Sequence, residues 1–116
     1  MRHLRLSDPA RTDIESIWWY TYDRYGLKQA EAYDTLLWQA LEDIEEEPSR
    51  PTSRLEPELG PHVRSYHIAL SKKRSGARIG RPRHLVLYTL EFEDEIFVMR
   101  FLKDDMDAPR HIEDLD

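Results

Sequence analysis

The chain has 116 residues, which fits one domain and leaves no room for a second. Its 40% hydrophobic and 34% charged residues argue against a disordered or membrane-spanning chain, and the lack of cysteine excludes disulfides, thiolate metal sites and cysteine nucleophiles. The net charge of −6 argues against non-specific nucleic-acid binding over the whole surface. That charge is uneven: residues 71–83 hold Lys72, Lys73, Arg74, Arg78, Arg81 and Arg83 and no acid, so setting these six cations aside takes the formal −6 to −12 on the rest.

Residues 3–7 are a short candidate strand. The first residues run into Ser7-Asp8-Pro9 without the apolar middle of a signal peptide, and no apolar run approaches the roughly 18 residues that span a bilayer. The expectation is a cytoplasmic protein with no membrane partner. Asp8 and Pro9 mark a helix start, with Asp as the cap. Ala10, Ile14, Ile17, Trp18, Thr21 and Tyr25 then recur at three- and four-residue spacing, which predicts an amphipathic helix over 9–25 with Trp18 facing inward. Gly26 stops it.

A second helix is expected from about Leu27 until Pro48 closes it. Ala30, Tyr33, Leu37, Ala40, Leu41 and Ile44 form its apolar stripe, and Glu42, Asp43, Glu45 and Glu46 are assigned to its solvated face. The short connection makes the two helices an antiparallel hairpin. Residues 47–61, with four prolines and a glycine, read as an ordered loop with neither helix nor strand.

Three strands follow. Residues 62–70 are β-prone, and the basic segment 71–83 then intervenes as an inserted arm that the fold should survive losing. Residues 84–92 are apolar on both faces and so belong in the sheet centre, and residues 96–102 return after the turn Glu93-Asp94-Glu95. The tail 103–116 is polar. The order β-α-α-β-β-β predicts one α+β domain over residues 1–116, a helical hairpin packed on a mainly antiparallel sheet. The opposite sheet face must then be solvent-exposed or occupied by a partner.

Arg100 interrupts the apolar run of the last strand, and a guanidinium there needs a carboxylate, a surface or a ligand phosphate. It reads either as a structural ion pair with an acidic helix residue or as a functional cation. If the three strands pair in sequence order, Arg64, Tyr88 and Arg100 could gather on one sheet face, a set suited to a phosphate or an acidic peptide. Each also has a plain reading, Arg64 as a surface residue and Tyr88 as a packing aromatic. His67 and His84 are possible acid–base groups, although a lone strand histidine is usually structural. Trp19 and Tyr22 fall beside the first helix's stripe and form an exposed aromatic patch for a partner. The five histidines include no helical i, i+4 pair, and no phosphate loop or nucleophile elbow is present. No metal site is expected.

Several segments together resemble the ParE-type toxins of the RelE/ParE superfamily. The opening LSDPARTDIESIWWYTYDRYG is similar to the family's L-S-x-x-A-x-x-D-[IL]-x-x-I-W-x-Y-T-x-x-x-[WY]-G, through Leu6, Ser7, Ala10, Asp13, Ile14, Ile17, Trp18, Tyr20, Thr21, Tyr25 and Gly26. QAEAYDTLLWQALEDIEEEP resembles its second helix. PELGPHVRSYHI resembles its loop-to-strand segment through Leu59, Gly60, Arg64 and Ser65. The ending HLVLYTLEFEDEIFVMRFLKDDMDAPRHI carries the family's Tyr88, Arg100, Leu102, Met106, Asp107, Arg110 and His111, with Lys103 where the family commonly has histidine. The resemblance implies the toxin of a type II toxin–antitoxin system, used in plasmid stabilisation and growth inhibition. It further implies a poison of DNA gyrase that acts by binding, needs no cofactor, makes no direct sequence-specific nucleic-acid contact and is neutralised in a hetero-oligomer by a cognate antitoxin of ribbon-helix-helix type. Target or antitoxin contacts are expected at Trp19, Tyr22, Arg64, Tyr88, Arg100, Lys103, Met106, Asp107, Arg110 and His111. Two alternatives stand beside it: a RelE-like ribosome-dependent mRNA endoribonuclease working through Arg64, Tyr88, Arg100 and Lys103, and a non-toxic relative acting only as a complex partner.

Overall fold

The computed structural model describes residues 2–105. Strand β1 (His3–Leu6) leads into helices α1 (Asp8–Tyr25) and α2 (Leu27–Glu46). Strands β2 (Arg54–Leu55) and β3 (Val63–His67) follow, then a 3-10 turn (Ile68–Ser71) and the short helix α3 (Lys72–Ser75). Strands β4 (His84–Thr89) and β5 (Glu95–Lys103) complete the described chain. The sheet order is β1-β5-β4-β3-β2, with β1 parallel to β5 and the other neighbours antiparallel. The result is an α+β fold of three helices on a five-stranded mixed sheet, with doubly apolar β4 at its centre, as its sequence requires.

The hairpin forms because Gly26 serves two helices at once. At φ +91° it occupies backbone space that side chains avoid; its N–H bonds Tyr22 O at 2.9 Å and its carbonyl accepts from Ala30 N at 3.1 Å. At the other end of α1, Ser7 rather than Asp8 is the cap. Its Oγ accepts from Ala10 N at 3.0 Å and donates to Met99 O at 2.7 Å, so the cap also ties the helix start to β5. Ile17 of α1 and Leu36, Leu37, Ala40, Leu41 and Ile44 of α2 pack on Tyr66, Val86, Tyr88, Ile96, Val98 and Phe101 of the sheet. Tyr25, placed in the helix stripe by periodicity, is 66% exposed at the last turn of α1.

The second sheet face is not bare. Val63, Leu87 and Leu102 are buried there, and Leu59 from the turn before β3 packs against them with Leu85 and Met99. The proline-rich loop contains strand β2, whose two residues pair with Arg64 and Ser65; so short a strand leaves no periodic trace. The strand expected over 62–70 ends at His67, whose Nδ1 accepts from Ala69 N at 3.1 Å and turns the chain.

The basic segment is more than an arm. Ile79 lies in the main core at 4% exposure, and Ser71 is fully buried. What fixes the segment is Asp43, the acid of α2 that is not solvated. Asp43 is 3% exposed and accepts from Gln39 Nε2 at 3.0 Å, from Arg74 Nη1 at 2.8 Å and from Ser71 Oγ, which is also bonded to Tyr66 Oη. Asp43 sits three and seven residues after the core positions Ala40 and Leu36, so its spacing marks it as inward. Asp43→Ala should cost about 2 kcal/mol, because Ser71 and Gln39 lose a charged acceptor in a dry site. Chemical denaturation measures this, and a cost under about 0.5 kcal/mol would mean that the segment is held by Ile79 alone.

Candidate functional site

Arg64 and Tyr88 are directly opposite one another in the β3–β4 register. Tyr88 lies in the main core, fully buried, and donates through its hydroxyl to Pro48 O at 2.6 Å. Burial pushes its phenol pKa up, so it stays neutral. Arg64 is half-buried and donates from Nε to Ser53 Oγ at 2.8 Å.

Arg100 does not join them. The β4–β5 ladder slips by one residue, Leu87 facing Arg100 and Tyr88 facing Val98, so Met99 is the extra residue of a bulge. Beyond the end of β1, the guanidinium reaches Asp13 on α1. Nε donates to Oδ2 at 2.7 Å and Nη2 to Oδ1 at 2.9 Å, while Phe101 N also donates to Oδ2 at 2.9 Å. The expected Arg–Tyr–Arg set is thus an Arg64–Tyr88 pair on one side and an Arg100–Asp13 clamp on the other. Asp13 was legible in the sequence only as part of the family pattern, since its partner lies 87 residues away.

Lys103 ends β5 directly opposite His84, the first residue of β4. Its ammonium stands 5.3 Å from the centre of the Tyr20 ring on α1. His84 Nδ1 lies 2.6 Å from Tyr33 Oη of α2, and that same oxygen accepts from Arg83 N at 3.1 Å. Burial, with Lys103 alongside, pulls the His84 pKa down to about 4. His67, the other histidine considered for acid–base work, lies 3.1 Å from Asp104 Oδ2, and Asp104 is also paired with Arg83 at 3.2 Å. These bonds, that from His67 foremost, hold the Asp104 carboxyl below its ordinary pKa.

Around His84 and Lys103 opens a cavity of about 520 Å³ between the hairpin and the 79–84 segment. It takes in Tyr20 and Tyr33 from the hairpin and Arg81 from the basic segment. Sequence reasoning weighed His84 alone and read Tyr33 as core; their bond spans 51 residues and leaves no local signal. Trp18 is half-buried, whereas Trp19 and Tyr22 are 54% and 42% exposed, their rings edge to face at 5.7 Å. Met106, Asp107, Arg110 and His111 lie outside the described residues. Among the described residues no cluster of acids and histidines could hold a metal ion, and no helix is long and apolar enough to cross a membrane.

A helical hairpin thus lies across a mixed sheet, with an arginine of the last strand clamped to the first helix. The model of the ParE toxin of type II toxin–antitoxin systems, parDE, matches residues 4–108, and this chain belongs to that family. Toxin ParE1 of Caulobacter vibrioides is 29% identical over 112 residues, covering 97% of this chain and 99% of the relative. Toxin ParE1 of Mycobacterium tuberculosis is 30% identical over 107 residues, covering 92% and 94%. In fold, the chain is similar to a chain of the chromosomal ParDE toxin–antitoxin system of P. aeruginosa. The TM-score is 0.68 at 14% identity, with 89% of this chain and 96% of that one covered.

Proposed function

We propose that this toxin acts in the cytoplasm as an inhibitor of DNA gyrase, by contact and without chemistry of its own. We further propose that a cognate antitoxin, of ribbon-helix-helix type, neutralises it in a hetero-oligomer. The observation that carries the reading is the engagement of three of the four side chains named for a ribonuclease, all but Lys103. Arg100 is clamped on Asp13, the Tyr88 hydroxyl on Pro48 O and Arg64 Nε on Ser53. A phosphate at those side chains would have to displace their bonds inside the protein, which costs free energy that a preorganised active site does not lose.

The exposed Trp19–Tyr22 pair supports the contact reading, since such aromatics are the residue types that anchor interfaces. Expressing the toxin without antitoxin tests it. Filamentation, DNA damage and trapped cleaved plasmid with purified gyrase are expected. Intact DNA with mRNA cut on the ribosome would replace gyrase inhibition by ribonuclease action, and no growth effect would leave a complex partner only. A Trp19→Ala/Tyr22→Ala variant should melt within a few degrees of the parent yet lose roughly tenfold or more in gyrase inhibition. Full inhibition by that variant would remove the patch from the interface.

A further inference from the structure

The cavity beside His84 is not accounted for by an action that proceeds through contact. Its polar groups are set up in a directional way. The backbone N–H of Arg83 donates to the Tyr33 oxygen at 3.1 Å, and the only acceptor within reach of the Tyr33 hydroxyl proton among the described residues is His84 Nδ1 at 2.6 Å. A phenol that donates to Nδ1 leaves the ring's own proton on Nε2. This tautomer follows from the bonding pattern. Nε2–H meets no acceptor among the described residues, and no buried side-chain nitrogen or oxygen there lacks a partner, so Nε2–H is open to solvent; His84 lines this cavity and also the smaller hollow beside Asp13 and Arg100. With a pKa near 4 the ring is neutral at physiological pH, a fixed donor rather than a charge.

Charge comes from its neighbours. Lys103 is the cross-strand partner of His84, which puts the two side chains on one face. Lys103 and Arg81 line the cavity, and neither has a carboxylate partner among the described residues; the one carboxylate in the lining, Asp105, stands 3.8 Å from Arg83, which is also paired with Asp104. A donor N–H between an ammonium and a guanidinium suits a phosphate group. The Tyr20 ring at the rim is already faced by cations, with Lys103 at 5.3 Å and Arg24 at 5.2 Å from its centre, so it steadies Lys103 beside the cavity. A volume of about 520 Å³ lies in the range of small-molecule sites.

We propose that this cavity binds a small phosphate monoester, its phosphate between Lys103, Arg81 and the Nε2–H of His84. The site would let a soluble phosphate ester report to the face where the hairpin meets the sheet, independently of which target the toxin has.

Titrating the purified toxin at pH 7.5 with AMP, adenosine, ribose 5-phosphate and inorganic phosphate tests this, by calorimetry and by nitrogen-15 NMR of the histidine rings. AMP is expected to saturate one site and to shift the His84 Nε2 resonance, with adenosine showing no binding. Lys103→Gln should weaken AMP at least tenfold and Lys103→Arg should restore most of that loss. The absence of saturable AMP binding at millimolar concentration would overturn the proposal, as would AMP binding that leaves the His84 signal unmoved. Inorganic phosphate binding as tightly as AMP and ribose 5-phosphate would overturn the monoester assignment. Because the His84 signal is read in the unsubstituted protein, the outcome does not depend on the variants folding.

Discussion

Replacing Asp13 with alanine is expected to lower the unfolding free energy by about 3 kcal/mol and the melting temperature by roughly 10–15 °C. Both carboxylate oxygens are in use, Oδ2 by Arg100 Nε and Phe101 N and Oδ1 by Arg100 Nη2. The pair is largely removed from water, with side-chain exposures of 17% for Arg100 and 14% for Asp13. An ion pair this dry gains little over an apolar replacement of both partners, but taking one partner away leaves the other charge where water reaches it poorly. Together with the Ser7–Met99 bond, the clamp holds α1 to β5 past the point where β1 ends, so its loss should loosen the helix start and the strand together. Asp13→Asn keeps an acceptor for Phe101 N and should cost about half as much. The double change Asp13→Leu/Arg100→Met should recover most of the stability, because it leaves neither charge behind. Chemical denaturation of the four proteins measures these differences. If Asp13→Ala costs less than about 0.5 kcal/mol, Arg100 is held by other contacts and the clamp is incidental. Toxicity separates two roles: an Arg100 that only braces the fold should lose toxicity in step with melting temperature, whereas one that touches the target should lose it in variants that still melt normally.

Local physics made the hairpin legible. The stripes of α1 and α2 and the lone Gly26 between them specify two antiparallel helices, and the doubly apolar 84–92 run specifies a central strand. Arg100 was legible as a misfit, because a guanidinium in an apolar strand must be answered somewhere. What answers it was not, since Asp13 is joined to it only by the parallel β1–β5 pairing and the bulge at Met99. The same limit hid the role of the basic segment. Six cations in thirteen residues look solvated, yet Ile79 is core and Asp43, an acid amid acids, is the buried anchor. Asp43 sat at a spacing that points inward, so there the periodic signal was present and the charge signal obscured it, whereas Ile79 lies between α3 and β4 where no periodicity applies. The cavity was the least legible feature. Tyr33, His84 and Lys103 come from α2, β4 and β5, and each has an ordinary local reading.

Acid should destabilise the protein through His84, with the loss beginning near pH 6.5 and complete near pH 4. The folded-state pKa of about 4 lies below the unfolded value of 6.5, so the folded protein binds the proton more weakly than the unfolded chain does. The contribution is therefore fully present above pH 6.5, falls as pH drops through the window and is gone below pH 4. Its full size is about 3 kcal/mol, from roughly 1.4 kcal/mol for each unit of pKa. The physical cause is mainly burial, which disfavours the imidazolium. Lys103 and His67 act in the same direction, and Asp104 and Asp13 oppose it. Protonation at Nδ1 would also turn that atom from acceptor to donor, so Tyr33 Oη, which already accepts from Arg83 N, would lose the acceptor that its own proton has among the described residues. His84→Gln supplies an uncharged group that can still accept from Tyr33. Asp104 and Glu95, whose carboxyls are held low by His67 and Arg5 respectively, also favour folding less in acid, but they do so in both proteins. Urea midpoints measured from pH 7.5 to pH 4 should accordingly diverge, the parent falling more steeply than His84→Gln between pH 6.5 and 4.5. Parallel profiles would mean that the imidazolium finds a water-filled route to solvation, and that the wall of the cavity opens in acid rather than resisting the charge.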